Sequence, residues 1–454
     1  MRSSRALAAV ALAVTTATAA AACSSSGSSA SSSSPATGAT SASSATSSSS
    51  ATSSSGANTA AKVTLTWWNN ATNQPLLGIY ESAIKGFEAQ HPNVSITNVP
   101  IQNELLQDTK IPLALEGNNP PNIYQQWGGG VLGQQVTSGK VDNITADVAS
   151  WIGSVSGASG WQANGQQYGV PVDLHVVGFW YRKDIFSKVG ITVPTTLAQL
   201  ESDDAKLHAA GYAPIAVGSK DRWPDAFWWE YFALRDCPQA TVNSAIKSES
   251  FSASCFGQAS TSLSAFLKTN PFQTGFLGTS SQQGAGSSAG LVASGKAAME
   301  LQGDWDPSVM QGVSTNKDLS GELGWFPCPQ TPGSAGSQTA VLGGGDGFSC
   351  TGSTQQAQAC AQFLQYLDSA SVQAQIVGPG QTGEPVLTSE SKAITLPATQ
   401  TAAAYFKTAS YQELYFDTAL PTKPGQNLDT AIANYFSSPS ASTASAIANS
   451  PQTP

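Results

Sequence analysis

Positive charge is scarce in this 454-residue chain. Lysine and arginine together number 20 against 29 acidic residues, and charged residues of both signs make up only 11%. A nucleic-acid partner needs clustered cations against its phosphates, so that class is excluded. Histidine is scarcer, with only His91, His175 and His208, so no HExxH-type zinc site exists. The six cysteines form no CxxC pair and no metal-ligand spacing, and no metal or cofactor is expected. Long apolar runs are missing too. The uncharged stretch Ala6 to Ala22 is Ala-rich and shorter than the roughly 18 to 20 strongly apolar residues that favour a membrane span.

What is present begins with an address. Arg2 and Arg5 precede that uncharged stretch, and small residues lead into Cys23, the layout of a cleaved export signal over 1–22. The run "AAAAC" resembles a bacterial lipobox, in which the thiol is diacylated and Cys23 becomes the first residue of a lipoprotein. It departs from that pattern at Ala20, where Leu is usual, so cleavage at a nearby Ala to give a free secreted protein stays open. From Ser24 to Ala61 every residue except Pro35 and Asn58 is Ser, Thr, Ala or Gly. Such a segment has almost nothing to bury and reads as a flexible tether spanning roughly 30 to 40 Å. Anchor and tether together predict an extracellular protein held at the outer face of the cell membrane. A second Ser/Ala/Pro-rich stretch after Phe436 reads as a loose tail.

The body between is too long for one small core and suits two lobes. Its cysteines fit an oxidising compartment. Short separations favour Cys237 with Cys255 and Cys350 with Cys360, leaving Cys328 over, although spacing alone does not fix the connectivity. Apolar periodicity predicts strand, helix, strand, helix, strand from "KVTLTWW" to "PPNIYQQW", the order of a parallel sheet covered by helices. A second α/β set runs from "YGVPVDLHVVGFWYRKDIFSKVGI" through "APIAVGSK", "PDAFWWEYFALRD" and "GKAAMELQGDW" to "GDGFSC" and its helix. Ligands in such folds gather beyond the carboxyl ends of strands.

The stretch "MELQGDWDPSVM" places Trp305 between Asp304 and Asp306 at a strand exit. An indole covers the apolar C–H face of a sugar ring while carboxylates and amides satisfy its hydroxyls. The order of "TLTWWNN", "PPNIYQQW", "GVPVDLHVVGFWYRKDIFSKVGI", "SGKAAMELQGDW" and "LGGGDGFSC" resembles the extracellular solute-binding proteins of carbohydrate ABC importers, most nearly actinobacterial lipoproteins that take up xylobiose and related oligosaccharides. That resemblance implies an α/β, two-lobed periplasmic-binding-protein-like (type II) fold with three hinge crossovers and an interlobe cleft. It assigns 62–174 plus 300–344 to one lobe and 175–299 plus 345–454 to the other. It implies a monomer that closes on an oligosaccharide and docks on membrane permease subunits.

Carried over residue by residue, the resemblance puts Asn70, Trp127 and Gly128 on one rim and His175 at the first crossover. Lys220, Asp221, Trp223 and Trp228 fall on the second lobe. Trp305 and Asp306 follow the hinge-adjacent strand, and Gly345 and Asp346 the last crossover. Trp68, Trp180 and Trp229 read as core. Two other classes compete. A glycoside hydrolase needs two carboxylates across a sugar, for which Asp221, Asp304 and Asp306 are nominees. The G-x-S-x-G match at Gly286 to Gly290 has no histidine after it, against the usual chain order of such hydrolases. A surface adhesin is the third class, and it has no need of so many indoles at rims.

Overall fold

The computed structural model describes residues 61–452. The expected export signal, Cys23 and all but the last residue of the tether lie outside the described residues. The first strand, β1 (Val63–Asn69), buries alternate residues, with Leu65 and Trp67 fully enclosed, as a period of two demands. Helix α1 (Leu76–Gln90) carries its apolar residues at helical spacing, so Ile79, Tyr80, Ala83, Ile84 and Phe87 form its buried face. Strands β2 (Val94–Pro100) and β3 (Ile123–Gln126) flank β1 in parallel.

The sheet then changes character. Strand β4 (Gly169–Arg182) is long and buried along almost its whole length. It is joined by β5 (Ala213–Ala216), β6 (Ala297–Gly303), β7 (Leu323–Phe326) and β8 (Val341–Cys350). The order along the sheet is β2-β1-β3-β8-β4-β6-β5, with β7 on β4. Strand β8 is antiparallel to both β3 and β4, and β6 antiparallel to β4, so the sheet is mixed rather than wholly parallel.

Two main cores divide the body. Val170 and Val172 of β4 pack with β1, α1 and the helix after β8, whereas Val177 and Phe179 pack with α2 (Trp223–Asp236) and with α3 (Thr422–Ser437). The chain therefore crosses between these cores inside β4 and again inside β8 between Leu342 and Phe348, and between Ile394 and Leu396 it passes from the first core to a third cluster that also holds Val176, Trp180 and Val341 of the crossing strands. This corrects two of the expected lobe segments. Leu301, Phe326 and Leu342 belong to the second core, and Phe348 to Ile394 to the first. The cause is pairing: β6 lies against the far half of β4, Val177 to Tyr181, beyond the crossing.

Cys237–Cys255 and Cys350–Cys360 are disulfide-bonded, and Cys328 is free and half-buried. The Ser/Ala-rich stretch after Phe436 is not a loose tail. It forms α4 (Ala441–Asn449), capped by Ser440 and pinned by the fully buried Ile447. Among the described residues no helix is long and apolar enough to cross a membrane.

Candidate functional site

The crossing strands make the floor of a cavity between the cores, roughly 950 Å³ counted out to its open mouth. Asp173 and His175 stand two residues apart on β4 and share a face. Asp346 of β8 pairs directly with Asp173, and its N–H donates to Asp173 Oδ1 at 3.2 Å. The exit of β6 supplies Asp304 and Trp305. His175 Nδ1 lies 2.9 Å from Asp304 Oδ1, and His175 Nε2 lies 3.2 Å from Asp173 Oδ1 and 3.9 Å from Asp346 Oδ2. Behind this cluster sits Gly383 at φ 102°, where a Cβ would stand 2.6 Å from Asp304 Oδ1 and 2.8 Å from His175 Nδ1. Only glycine lets the backbone pass so close.

Burial pulls the His175 imidazole down, but Asp173, Asp304 and Asp346 outweigh it and hold the ring well above its ordinary range. Burial pushes Asp173 and Asp304 up, with His175 opposing in both. Glu384, also driven by burial and then by Asp304, is pushed to about 7. Three carboxylates within 4 Å of one imidazole favour positive charge at the floor.

Aromatic rings surround it. Trp305 stands edge-on to His175 at 4.9 Å between centroids, with Trp223 and Tyr415 each 6.2 Å away. The indole N–H of Trp305 and the hydroxyl of Tyr415 are buried without a hydrogen-bond partner, which leaves each free for a guest. Trp127 and the amides of Asn70, Asn73, Asn103 and Gln107 line the facing wall. Planes for apolar faces and a surplus of acceptors are the chemistry a polyhydroxylated ring requires.

Of the residues nominated from sequence, Asn70, Trp127, His175, Trp223, Trp305, Gly345 and Asp346 line this cavity. Five do not. Gly128 turns the chain at φ 80° into the helix Gly129–Thr137, where a Cβ would meet the Gly160 carbonyl. Trp228 is 3% exposed and stacks on Phe266 in the second core, because five residues beyond Trp223 a helix has turned about 140° away. Asp306 is buried behind Trp305 beside Glu300; burial pushes Glu300 well up and Asp306 to about 7. Asp221 accepts from the N–H and hydroxyl of Ser281 and faces a smaller acidic hollow next door, and Lys220 is exposed outside both.

Asp173, Phe227, Thr382, Tyr415 and Asp417 line the cavity without having been nominated. Phe227 was within reach of helical reasoning, four residues after Trp223 on one face. Tyr415 and Asp417 carry no local signal; pairing of Gln412–Leu414 with Val341–Gly343 of β8 brings them in. In the Gly286 to Gly290 motif, Ser288 is buried and its hydroxyl donates to the Ser281 carbonyl, so it is not presented as a nucleophile.

Residues 70–374 match the family model described as bacterial extracellular solute-binding protein. A multiple sugar-binding protein of Streptococcus mutans is 25% identical over 330 residues, covering 68% of this chain and 72% of the relative. An ABC transporter extracellular-binding protein of Pyrococcus horikoshii is 30% identical over 169 residues, and a second from that organism 24% over 256. Those two alignments span only 38% and 54% of the relatives' own lengths. Among solved structures, one from work on xylan utilisation by the thermophilic bacterium Caldanaerobius polysaccharolyticus superposes with a TM-score of 0.79 at 23% identity, over 86% of this chain and 99% of that one. A chitin oligosaccharide binding protein superposes with a TM-score of 0.75 at 19% identity, over 86% and 97%. These likenesses fix the fold as the mixed α/β, two-lobed one of solute-binding proteins.

Proposed function

The chain belongs to the bacterial extracellular solute-binding proteins, and from that premise we propose that it captures a short neutral oligosaccharide between its lobes and hands it unaltered to the permease of an ABC importer. Xylobiose or a short xylo-oligosaccharide is the ligand of choice. The observation that carries the reading is the cavity itself: Trp305 at the floor between two cores, Trp127 and Trp223 on opposite walls, and amides and carboxylates around them. A pyranose edge has hydroxyls for those acceptors, and each hydroxyl buried without a partner would cost on the order of 1 to 3 kcal/mol.

The similar proteins lend support in the same direction. One is named a multiple sugar-binding protein, one a chitin oligosaccharide binding protein, and a third comes from work on xylan use. The proposal extends to place: a monomer held through a lipidated Cys23 at the outer face of the membrane, where its permease lies.

Calorimetry and tryptophan fluorescence against xylo-, cello-, malto- and chito-oligosaccharides, with chromatography of the products, test it. Saturable binding strongest for a xylo-oligosaccharide, with the sugar recovered intact, is expected. Cleavage products, or no binding across the panel, would overturn the reading.

A further inference from the structure

One imidazole at the cavity floor faces more carboxylates than it can neutralise. Around His175 stand Asp173, Asp304, Asp346 and, one shell out, Glu384, and the cavity lining includes no lysine or arginine. His175 is 4% exposed, and its Nε2 is buried with no hydrogen-bond partner. Asp173 Oδ1 is near enough at 3.2 Å but out of line. A buried polar atom left over in a well-packed floor asks for an occupant.

We propose that Asp173, His175 and Asp346 are the three protein ligands of a divalent cation, which takes the place of the proton on His175 Nε2, released to solvent, and is held on the floor with its remaining positions open to the cavity. One atom from each residue can be chosen so that all lie within 4.8 Å of one another. A cation about 2.1 Å from each donor keeps the donors about 3.0 to 3.4 Å apart in octahedral or tetrahedral arrangements. The Nε2 to Asp173 distance of 3.2 Å falls inside that window. Asp346, at 3.9 Å and with a side chain 20% exposed, is the ligand with freedom to swing inward.

The surroundings are those of a metal-binding imidazole. Nδ1 is held by the Asp304 carboxylate, which fixes the ring and directs Nε2 toward the other two ligands, the usual outer-shell partner of a ligating histidine. All three ligands stand on adjacent paired strands, and Gly383 closes the back. One nitrogen and two carboxylate oxygens with open positions suit Zn2+ or Mn2+ better than the all-oxygen cations Ca2+ and Mg2+. This departs from the sequence expectation of no metal, which counted local spacing and missed a cluster built across two strands. That saccharide hydroxyls complete the coordination is a consequence that rests on the function proposed above; cation binding itself does not.

The test is calorimetric titration of the chelator-dialysed chain with Zn2+ alone and with Mn2+ alone, no sugar present. One site per chain is expected, weakened at least tenfold in both Asp346→Asn and His175→Gln and unchanged in Asp318→Asn, whose exposed carboxylate lies away from the cavity. Asp346 is partly exposed, so its variant keeps the test sound should His175→Gln fold poorly. Absence of binding by either ion at millimolar concentration, or binding that survives both ligand variants, overturns the proposal. A chain that takes Zn2+ or Mn2+ through these residues yet binds no saccharide keeps the cation site and overturns only the sugar reading.

Discussion

Trp305 serves packing and recognition at once. Its ring covers Gly303 so closely that a Cβ there would lie 2.0 Å from it, while its indole N–H is left without a partner. Trp305→Ala should weaken saccharide binding by roughly 2 to 4 kcal/mol, the range of a buried tryptophan anchor, and lower the melting temperature by a few degrees through lost packing. Calorimetry and a thermal scan separate the two; affinity within twofold of the parent would remove Trp305 from the site. Asp204, on the helix Leu197–Ala209, shows a burden of the opposite kind. Burial, and then Asp203 and Glu201, push its carboxyl to about 8, and neither oxygen has a hydrogen-bond partner. A carboxyl raised in the fold is cheap to bury below its unfolded pKa and increasingly costly as pH rises from about 4 to 8. Asp204→Asn should therefore stabilise the chain at pH 7 by on the order of 2 to 4 kcal/mol and change little at pH 4, as read by urea unfolding at both. Trp223 and Trp305 were legible as cavity residues because each opens a helix at a strand or loop exit. Trp228 was harder to read: helical spacing turns it about 140° from Trp223, but "FWWEYF" is aromatic around most of the helix and gives no single apolar stripe to orient it.

Strand β8 shows what an element must be made of to cross between lobes. Its run "LGGGDG" lies so near β4 that a Cβ on Gly343 would meet the His175 carbonyl at 2.3 Å, and one on Gly345 the Asp173 carbonyl at 2.4 Å. Neither contact can be relieved by turning a side chain, because the obstacle is backbone. Gly345→Ala should cost about 1 to 3 kcal/mol in denaturant unfolding and weaken saccharide binding as Asp346 shifts. Gly257→Ala, in the helix Ser254–Leu267 with nothing within 4 Å, should gain up to about 1 kcal/mol. Equal effects at the two positions would contradict the close approach. The strands and helices themselves were readable, because their apolar periods of two and 3.6 are local. Strand neighbours were not: nothing in "DGFSC" says that it runs antiparallel to β3 and β4, and so the segments either side of β8 fell to the wrong lobes. Nor does "ASTASAIANS" advertise a helix, when a single buried Ile447 and a Ser440 cap hold it.

At the scale of the molecule, the lobes meet across a mouth rich in carboxylates. Glu104 and Asp108 from the first lobe face Asp221, Asp417 and Asp429 from the second, around one smaller hollow. Arg222 reaches Asp108 at 3.5 Å, Lys220 acts weakly on Asp221, and Trp223 donates to Glu104 at 3.3 Å. Two cations against five carboxylates leave an excess of like charge straddling the cleft. Burial raises all five; it carries Asp417 to about 6 and Asp429 well above its ordinary range, with Asp108 adding to both. Groups whose pKa is raised when the lobes are together bind protons more tightly in that state, so closure is favoured at pH below about 6 and weakened as pH climbs through it. Saccharide affinity should therefore fall severalfold, roughly two- to tenfold, between pH 5.5 and pH 8, since one unit of differential pKa is worth about 1.4 kcal/mol and only part of each shift comes from closure. Added salt at pH 8 should recover some of the loss by screening the exposed part of the repulsion. Asp429→Asn, at the hollow and outside the saccharide cavity, should flatten the profile while leaving affinity at pH 5.5 nearly as it was. Scattering from the sugar-free chain offers a second readout, with a smaller radius of gyration expected at pH 5.5 than at pH 8. An affinity that rises with pH would mean that the carboxylates across the mouth do not oppose closure, and that the hydrogen bonds of Glu104 and Asp417 outweigh their mutual repulsion.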